Sequence, residues 1–228
     1  RRIRPGGYDL AFSPDGRVLA MSGCSGEILL RDLQADRPRR TPLTGDWLDH
    51  PVFSPDGRFL TAGGMGATVT LWDASSFRPV AEWQVQADGI GPLAFTSGGH
   101  RLVVATGYAS FFCVWSVRTG RRLAMLRGHL APVRSLAIAG GGRLLLSGSA
   151  DGTVRMWDLA RYRHLATLHS FPAAGGGPAE WITSTPTGEF TCSPGARRSI
   201  RWQVGDDMLP AGAFWETFHR PAGLAVIP

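Results

Sequence analysis

Residues 128–158, GHLAPVRSLAIAGGGRLLLSGSADGTVRMWD, decide the fold. Three short apolar runs, VRSLAIA, RLLLSGS and TVRMWD, are divided by AGGG and ADG, the punctuation of strands joined by tight turns. Three strands cannot bury a face on their own, so the stretch reads as one unit of an array.

Copies recur along the chain. The turn glycines Gly16, Gly57, Gly99 and Gly142 are spaced by 41, 42 and 43 residues, and Gly188 follows after 46. At the far end of each unit, Arg31, Trp72, Trp115, Trp157 and Trp202 step by 41, 43, 42 and 45. Two independent landmarks therefore share one period of about 40 to 45 residues, which is the period of a propeller blade.

Through Gly128-His129, Ser147-Gly148-Ser149, Asp151-Gly152 and Trp157-Asp158 the chain resembles the WD-repeat β-propellers. The resemblance implies an all-β propeller of four-stranded antiparallel blades, and a hydrogen-bonded chain of His129, Ser147, Asp151 and Trp157 within a blade. Only this fourth unit carries the full set. Arg31 replaces Trp in unit one, and the turns 64–67 and 107–110 contain no Asp.

Five units fill 228 residues, at approximately 8–44, 45–86, 87–129, 130–170 and 180–228, read as one domain over 1–228. Seven blades are commonest in this family, so the chain reads as the carboxy-terminal part of a seven-blade ring, with a closed five-blade ring as rival. The last unit, WITSTPTGEFTCSPGARRSIRWQV, is worded differently. Its Thr185-Pro186, Gly188, Phe190, Ser193-Pro194-Gly195, Ile200-Arg201-Trp202 and Phe218-His219-Arg220-Pro221 are similar to the closing segment of bacterial propellers fused to caspase-like, kinase or nucleotide-binding signalling domains. The 213–218 stretch reads as a helical turn, and 223–227 as a strand that closes the ring.

Composition excludes several classes. There is no run of 18 apolar residues and no signal-like amino terminus, so the reading is a soluble cytoplasmic piece with no membrane partner. The net charge of +6 is carried by Arg alone, with no Lys and no Asn, a bias of GC-rich bacterial codons. The arginines are scattered among acidic residues without a continuous stripe, which argues against nucleic acid. Three widely spaced cysteines, Cys24, Cys113 and Cys192, fit reduced thiols better than a disulfide frame. Neither the six His nor the three Cys show metal-ligand spacing, and the glycine clusters lack the Lys-Ser/Thr of a phosphate loop, so no metal and no cofactor are expected. His129, Asp151 and Ser147 have the residue types of a hydrolase triad, but within a repeat the same types form a structural network, and Cys192 has no linked base.

What remains is a non-catalytic interaction or sensor module of a larger bacterial signalling protein. Its partners would be proteins, including the rest of a split ring and an effector domain. The rival functions are a structural propeller completing a partner chain and, behind it, a hydrolytic propeller. Loops from outer to next inner strand and from second to third strand share one face. They nominate Trp47, Asp88, Tyr108, Phe171, Arg197 and Arg198 as partner-binding, because aromatic and Arg side chains dominate interface energetics.

Overall fold

The computed structural model describes residues 9–23, 26–35, 38–41, 47–86, 88–173, 176–204 and 206–220, without the side chains of residues 38, 39, 202 and 204. Cys24, the 223–227 strand and most of the 44–48 loop lie outside the described residues, as does the side chain of Trp202.

Three successive four-stranded antiparallel sheets come first. Blade 1 is β1 (Leu10–Phe12), β2 (Val18–Ser22), β3 (Ile28–Asp32) and β4 (Pro38–Arg40). Blade 2 is β5 (Leu48–Phe53), β6 (Phe59–Gly64), β7 (Thr68–Asp73) and β8 (Pro79–Gln84). Blade 3 is β9 (Ile90–Phe95), β10 (Arg101–Thr106), β11 (Phe111–Ser116) and β12 (Arg122–Arg127). Blade 4 is β13 (Val133–Ala139), β14 (Leu144–Ser149), β15 (Thr153–Asp158) and β16 (Arg163–Phe171). The innermost strands β1, β5, β9 and β13 lie side by side in that order, which fans the blades about a shared axis.

The first hairpin of each blade is written locally. In Ser13-Pro14-Asp15-Gly16 the Gly16 N–H donates to the Ser13 carbonyl at 2.8 Å, and the Ser13 hydroxyl donates to Asp15 at 2.6 Å. Ser54-Pro55-Asp56-Gly57 repeats both bonds at 2.9 and 2.6 Å. The glycines sit at φ 70° and 71°, a left-handed conformation that only glycine adopts without strain.

Registers show that the blades are copies. Trp72 pairs with Leu60, Trp115 with Leu102 and Trp157 with Leu145, while Arg31 holds the same place opposite Leu19. In all three Trp-bearing blades the ladder to the outer strand shifts register at the residue before the Trp. Each indole turns towards the preceding blade. Trp72 joins a core with Ala20, Ile28 and Leu30 of blade 1, and Trp115 a core with Val69 and Leu71 of blade 2. Trp157 packs on Val103, Phe112 and Val114 of blade 3, with its ring edge-on to Phe112 at 5.1 Å.

Strand alternation divides blade 3 between two of these cores: Leu102, Val104, Cys113 and Trp115 face blade 2, and Val103, Ala105, Phe112 and Val114 face blade 4. A strand covered on both sides loses the apolar–polar alternation of a half-exposed one, which is why LVVAT and FFCVW read as continuous apolar runs. Burying each such side chain contributes about 1.5–3 kcal/mol.

The fifth unit is arranged differently. Its strands β17 (Glu180–Ser184) and β18 (Phe190–Cys192) continue the sheet of blade 4, with β17 antiparallel to β16 from Thr167↔Ser184 to Phe171↔Glu180. β19 (Arg201–Val204) and β20 (Asp207–Pro210) form a separate two-stranded ribbon. The nine residues of β16 present a long edge that the hairpin after Phe171 folds back onto, and Pro194, with no N–H to donate, ends β18 early. After β20, a 3₁₀ turn at Ala211–Phe214 leads into the single helical turn α1 (Trp215–Phe218).

Candidate functional site

The fourth blade holds a connected polar network. His129 Nδ1 lies 2.9 Å from Asp151 and its Nε2 lies 2.7 Å from the Ser147 hydroxyl, which also accepts from the Trp157 indole N–H at 2.8 Å. Asp151 accepts further bonds from the Thr153 hydroxyl at 2.6 Å and from the N–H groups of Leu130 and Thr153 at 2.9 Å each. Burial alone would raise the Asp151 pKa, but the Thr153, Leu130 and His129 bonds outweigh it and hold the carboxyl below the usual carboxylate range. The Asp–His–Ser order matches a hydrolase triad in residue type, yet Ser147 is 0 % exposed and its oxygen is already taken by the indole. A sealed hydroxyl has no path to a substrate, so the arrangement locks the blade. The thiols are equally quiet: burial pushes both Cys113 and Cys192 upward, away from the reactive thiolate.

Blades 2 and 3 lack this acceptor. Register places Ala62 and Val104 where blade 4 has Ser147, and the indole N–H groups of Trp72 and Trp115 are buried without a hydrogen-bond partner. Each orphan costs about 1–3 kcal/mol relative to a satisfied donor.

Of the nominated partner-binding residues, the structure brings three together. Trp47, Asp88 and Tyr108 line one cleft of about 390 Å³ where the inner ends of blades 2, 3 and 4 meet, with Met65, His50 and Arg134. Tyr108 is 70 % and Met65 64 % exposed. The cleft thus combines an exposed aromatic surface with carboxylates at Asp49 and Asp88 and one guanidinium. Phe171 lies apart, in a second cleft with Ile182, Phe190 and Ile200. Arg197, in the 3₁₀ turn Gly195–Ser199, places its guanidinium 4.3 Å over the Trp215 ring, so it is engaged inside the chain; Arg198 in the same turn is exposed.

Two local arrangements escape sequence reading. Asp9, Asp49 and His50 bring one ligand atom each to within 4.8 Å of one another, the set among the described residues able to hold a metal ion. His50 reaches Asp9 at 3.1 Å from a left-handed backbone at φ 53°. The trio joins two blades across 41 residues, so no local spacing signals it. In the closing segment, buried Phe190 packs edge-on to Trp215 at 5.3 Å, and Trp215 stacks on His219 at 4.1 Å. Arg220 reaches Glu189 at 3.0 Å and donates its backbone N–H to the Phe190 carbonyl at 2.8 Å, tying the end of the described chain to β18.

Residues 48–73 and 120–158 match the family model of the WD domain, G-beta repeat. The chain is 49 % identical over 112 residues to the F-box/WD repeat-containing protein sel-10 of Caenorhabditis elegans, covering 48 % of this chain and 19 % of that protein. It is 32 % identical over 111 residues to the human WD repeat and SOCS box-containing protein 1, covering 46 % of this chain and 25 % of that one. With the periodic tryptophan protein 2 homolog of Neurospora crassa it shares 49 % identity over 59 residues, 25 % of this chain and 7 % of the relative. The chain therefore spans a quarter or less of the length of each. Repeat period, blade register and matched stretches agree: the fold is a WD-repeat β-propeller.

Proposed function

We propose that this chain is a non-catalytic module that captures protein segments in the cleft lined by Trp47, Asp88 and Tyr108, as part of a larger cytoplasmic bacterial signalling protein, with units 8–44 to 180–228 acting as one domain. The observation that carries the reading is the pairing of exposed aromatic surface with carboxylates at the inner ends of three blades, on strands whose apolar side chains are buried between the blades. Rigid strands carrying variable tips suit recognition, and a Trp or Tyr anchor supplies area at low entropic cost. The likeness to WD-repeat proteins named for F-box and SOCS-box combinations supports a scaffold role, and the closing segment supports the signalling context. Nucleic acid is disfavoured, because arginines and acidic residues intersperse without forming a stripe.

The test is binding of the full chain to an arrayed library of short peptides. Peptides retained by the parent protein lose at least tenfold in affinity, about 1.4 kcal/mol, on Trp47→Ala or Tyr108→Ala, with the melting temperature unchanged. Binding indifferent to both substitutions, alongside a lower melting temperature, would reassign these residues to packing.

A further inference from the structure

The turn between the third and outer strands closes each seam between blades with a side chain at one place, four residues beyond Asp73 in blade 2, Ser116 in blade 3 and Asp158 in blade 4. All three places take a left-handed backbone, at φ 54°, 63° and 53°. In blade 2 the residue is Phe77, buried in a core with Val18 of blade 1. In blade 4 it is Tyr162, packed on the core between blades 3 and 4 with the Arg101 guanidinium 5.7 Å from its ring centre. In blade 3 it is Gly120, so the seam between blades 2 and 3 receives no ring. Phe59 holds in blade 2 the register place of Val18 and Arg101, and with Gly120 it lines an open cleft of about 540 Å³. Trp83 takes part of the space, since a Cβ on Gly120 would come within 2.5 Å of its indole nitrogen, and it stacks on Trp115 as one wall. Leu71, Val80 and Val117 add apolar surface, and Val80 is 54 % exposed. The rim is basic. Arg58, His100 and Arg118 are exposed around it, and none is ion-paired among the described residues. The Arg58 guanidinium lies 5.3 Å over the Phe59 ring, which sets a positive charge directly above the apolar floor. The carboxylate at the rim, Asp56, already accepts from the Ser54 hydroxyl at 2.6 Å and the Arg58 N–H at 3.1 Å.

We infer that this seam binds an acidic segment of a partner protein, whose aromatic side chain enters beside Phe59 and Trp83 in the place that Phe77 and Tyr162 fill in the neighbouring seams. An aromatic ring on an apolar floor is the kind of anchor that dominates interface energetics, and ring pairs add to it by edge-on or offset contact. Acidic residues flanking the ring meet Arg58 and Arg118, whose planar guanidiniums can pair with carboxylates through two parallel N–H···O bonds. Two exposed guanidiniums against one carboxylate that is already engaged give the cleft its complementarity to a negative occupant, so the segment is acidic as well as aromatic. The cleft is built from the β9–β10 and β11–β12 turns, at the other end of the strands from the β6–β7 and β10–β11 loops that carry Met65 and Tyr108. It is thus a second docking surface, and it does not rest on capture in the first.

Binding of the full chain to an arrayed library of short peptides, each placing one Phe, Tyr or Trp among Asp and Glu residues, tests it. Two matched arrays carry Ala for the aromatic residue, or Asn and Gln for the acids. The arrays are read in parallel on the parent chain and on Trp47→Ala, which separates capture in the first cleft. Both chains are expected to retain members of the acidic aromatic array and to release both matched sets. Val80→Glu and Arg118→Glu, at exposed positions of the seam, are each expected to lower affinity at least tenfold with an unchanged melting temperature. An array with no retained peptide overturns the assignment, and so does equal retention of the alanine set, which belongs to a merely basic surface. Retention that Trp47→Ala abolishes and Arg118→Glu leaves intact overturns it as well, because the peptides then sit in the first cleft. Self-association without peptide that Val80→Glu abolishes makes a second copy the occupant and overturns it too.

Discussion

Removing one oxygen from the fourth blade provides the sharpest check on how that blade is held. Ser147 is fully buried and satisfies two groups at once, the Trp157 indole N–H at 2.8 Å and His129 Nε2 at 2.7 Å. Ser147→Ala keeps the volume nearly constant, so the cost comes from two polar groups left without partners. One buried orphan costs about 1–3 kcal/mol, and His129 retains Asp151 and a longer contact to Thr153 at 3.3 Å, so the expected total is about 2–4 kcal/mol. For a chain of this length each kcal/mol moves the melting point by about 2–4 °C, so Ser147→Ala should lower it by roughly 5–15 °C. Calorimetry or circular dichroism melting measures the shift. Trp157→Phe deletes the donor. In that background the same Ser147→Ala should cost about 1–2 kcal/mol less, and the difference isolates the indole bond. A Ser147→Ala protein that melts within ~2 °C of its parent, or equal costs in both backgrounds, would refute the network as a source of stability.

Three further outcomes follow from the same geometry. Ala62→Ser should give the Trp72 indole an acceptor and stabilise by about 0.5–1 kcal/mol, read as a melting-point increase, since the orphan donor is already present. Gly57→Ala and Gly120→Ala both place alanine at positive φ, 71° and 63°. An added Cβ at Gly57 meets open space, whereas at Gly120 it comes within 2.5 Å of Trp83 Nε1. Denaturant melts should show about 1 kcal/mol lost at Gly57 and clearly more at Gly120, where Trp83 must also leave its stack on Trp115. Hydrogen bonds from the Ser75 hydroxyl and then Ser76 hold the Asp73 pKa down at about 2, and Asp151 is lowered as well. A carboxyl with a folded pKa below its unfolded value of about 3.9 stabilises the fold above that value and loses the contribution as pH falls through the folded pKa. Stability should therefore be flat with respect to these two groups from pH 5 to 8 and decline below pH ~4. Asp151→Asn should flatten the acid limb.

Most of the architecture is legible because a propeller repeats its grammar. Turn glycines and Trp positions carry the period, and that period places Trp72, Trp115 and Trp157 at one register on three adjacent sheets. The missing acceptors at Ala62 and Val104 are legible too once the strands are aligned on Leu60, Leu102 and Leu145. Strand edges are harder to read. Nothing in the wording of 180–204 says that β17 will add to the rim of blade 4, since hydrogen-bond pairing depends on which edge lies nearest in space. Contacts across the array are also silent in sequence, which is why Asp9 with His50, and Arg197 over Trp215, emerge only in three dimensions. Left-handed Phe77 and Tyr162 stand where blade 3 has Gly120. A search for glycine at that turn passes over both, because Phe77 is held there by burial in the core between blades 1 and 2.

The unequal stitching of the blades has a consequence for how the molecule comes apart. In a linear array, cohesion is a sum of local terms, so the weakest joints open first. Blade 4 has its indole, imidazole and carboxylate tied together, blades 2 and 3 carry unanswered buried donors, and blade 1 replaces the indole with Arg31. Amide hydrogens of β1 to β3 should thus exchange with solvent well before those of β14 and β15. Opening then starts in blade 1, and the fourth blade persists as the last protected nucleus.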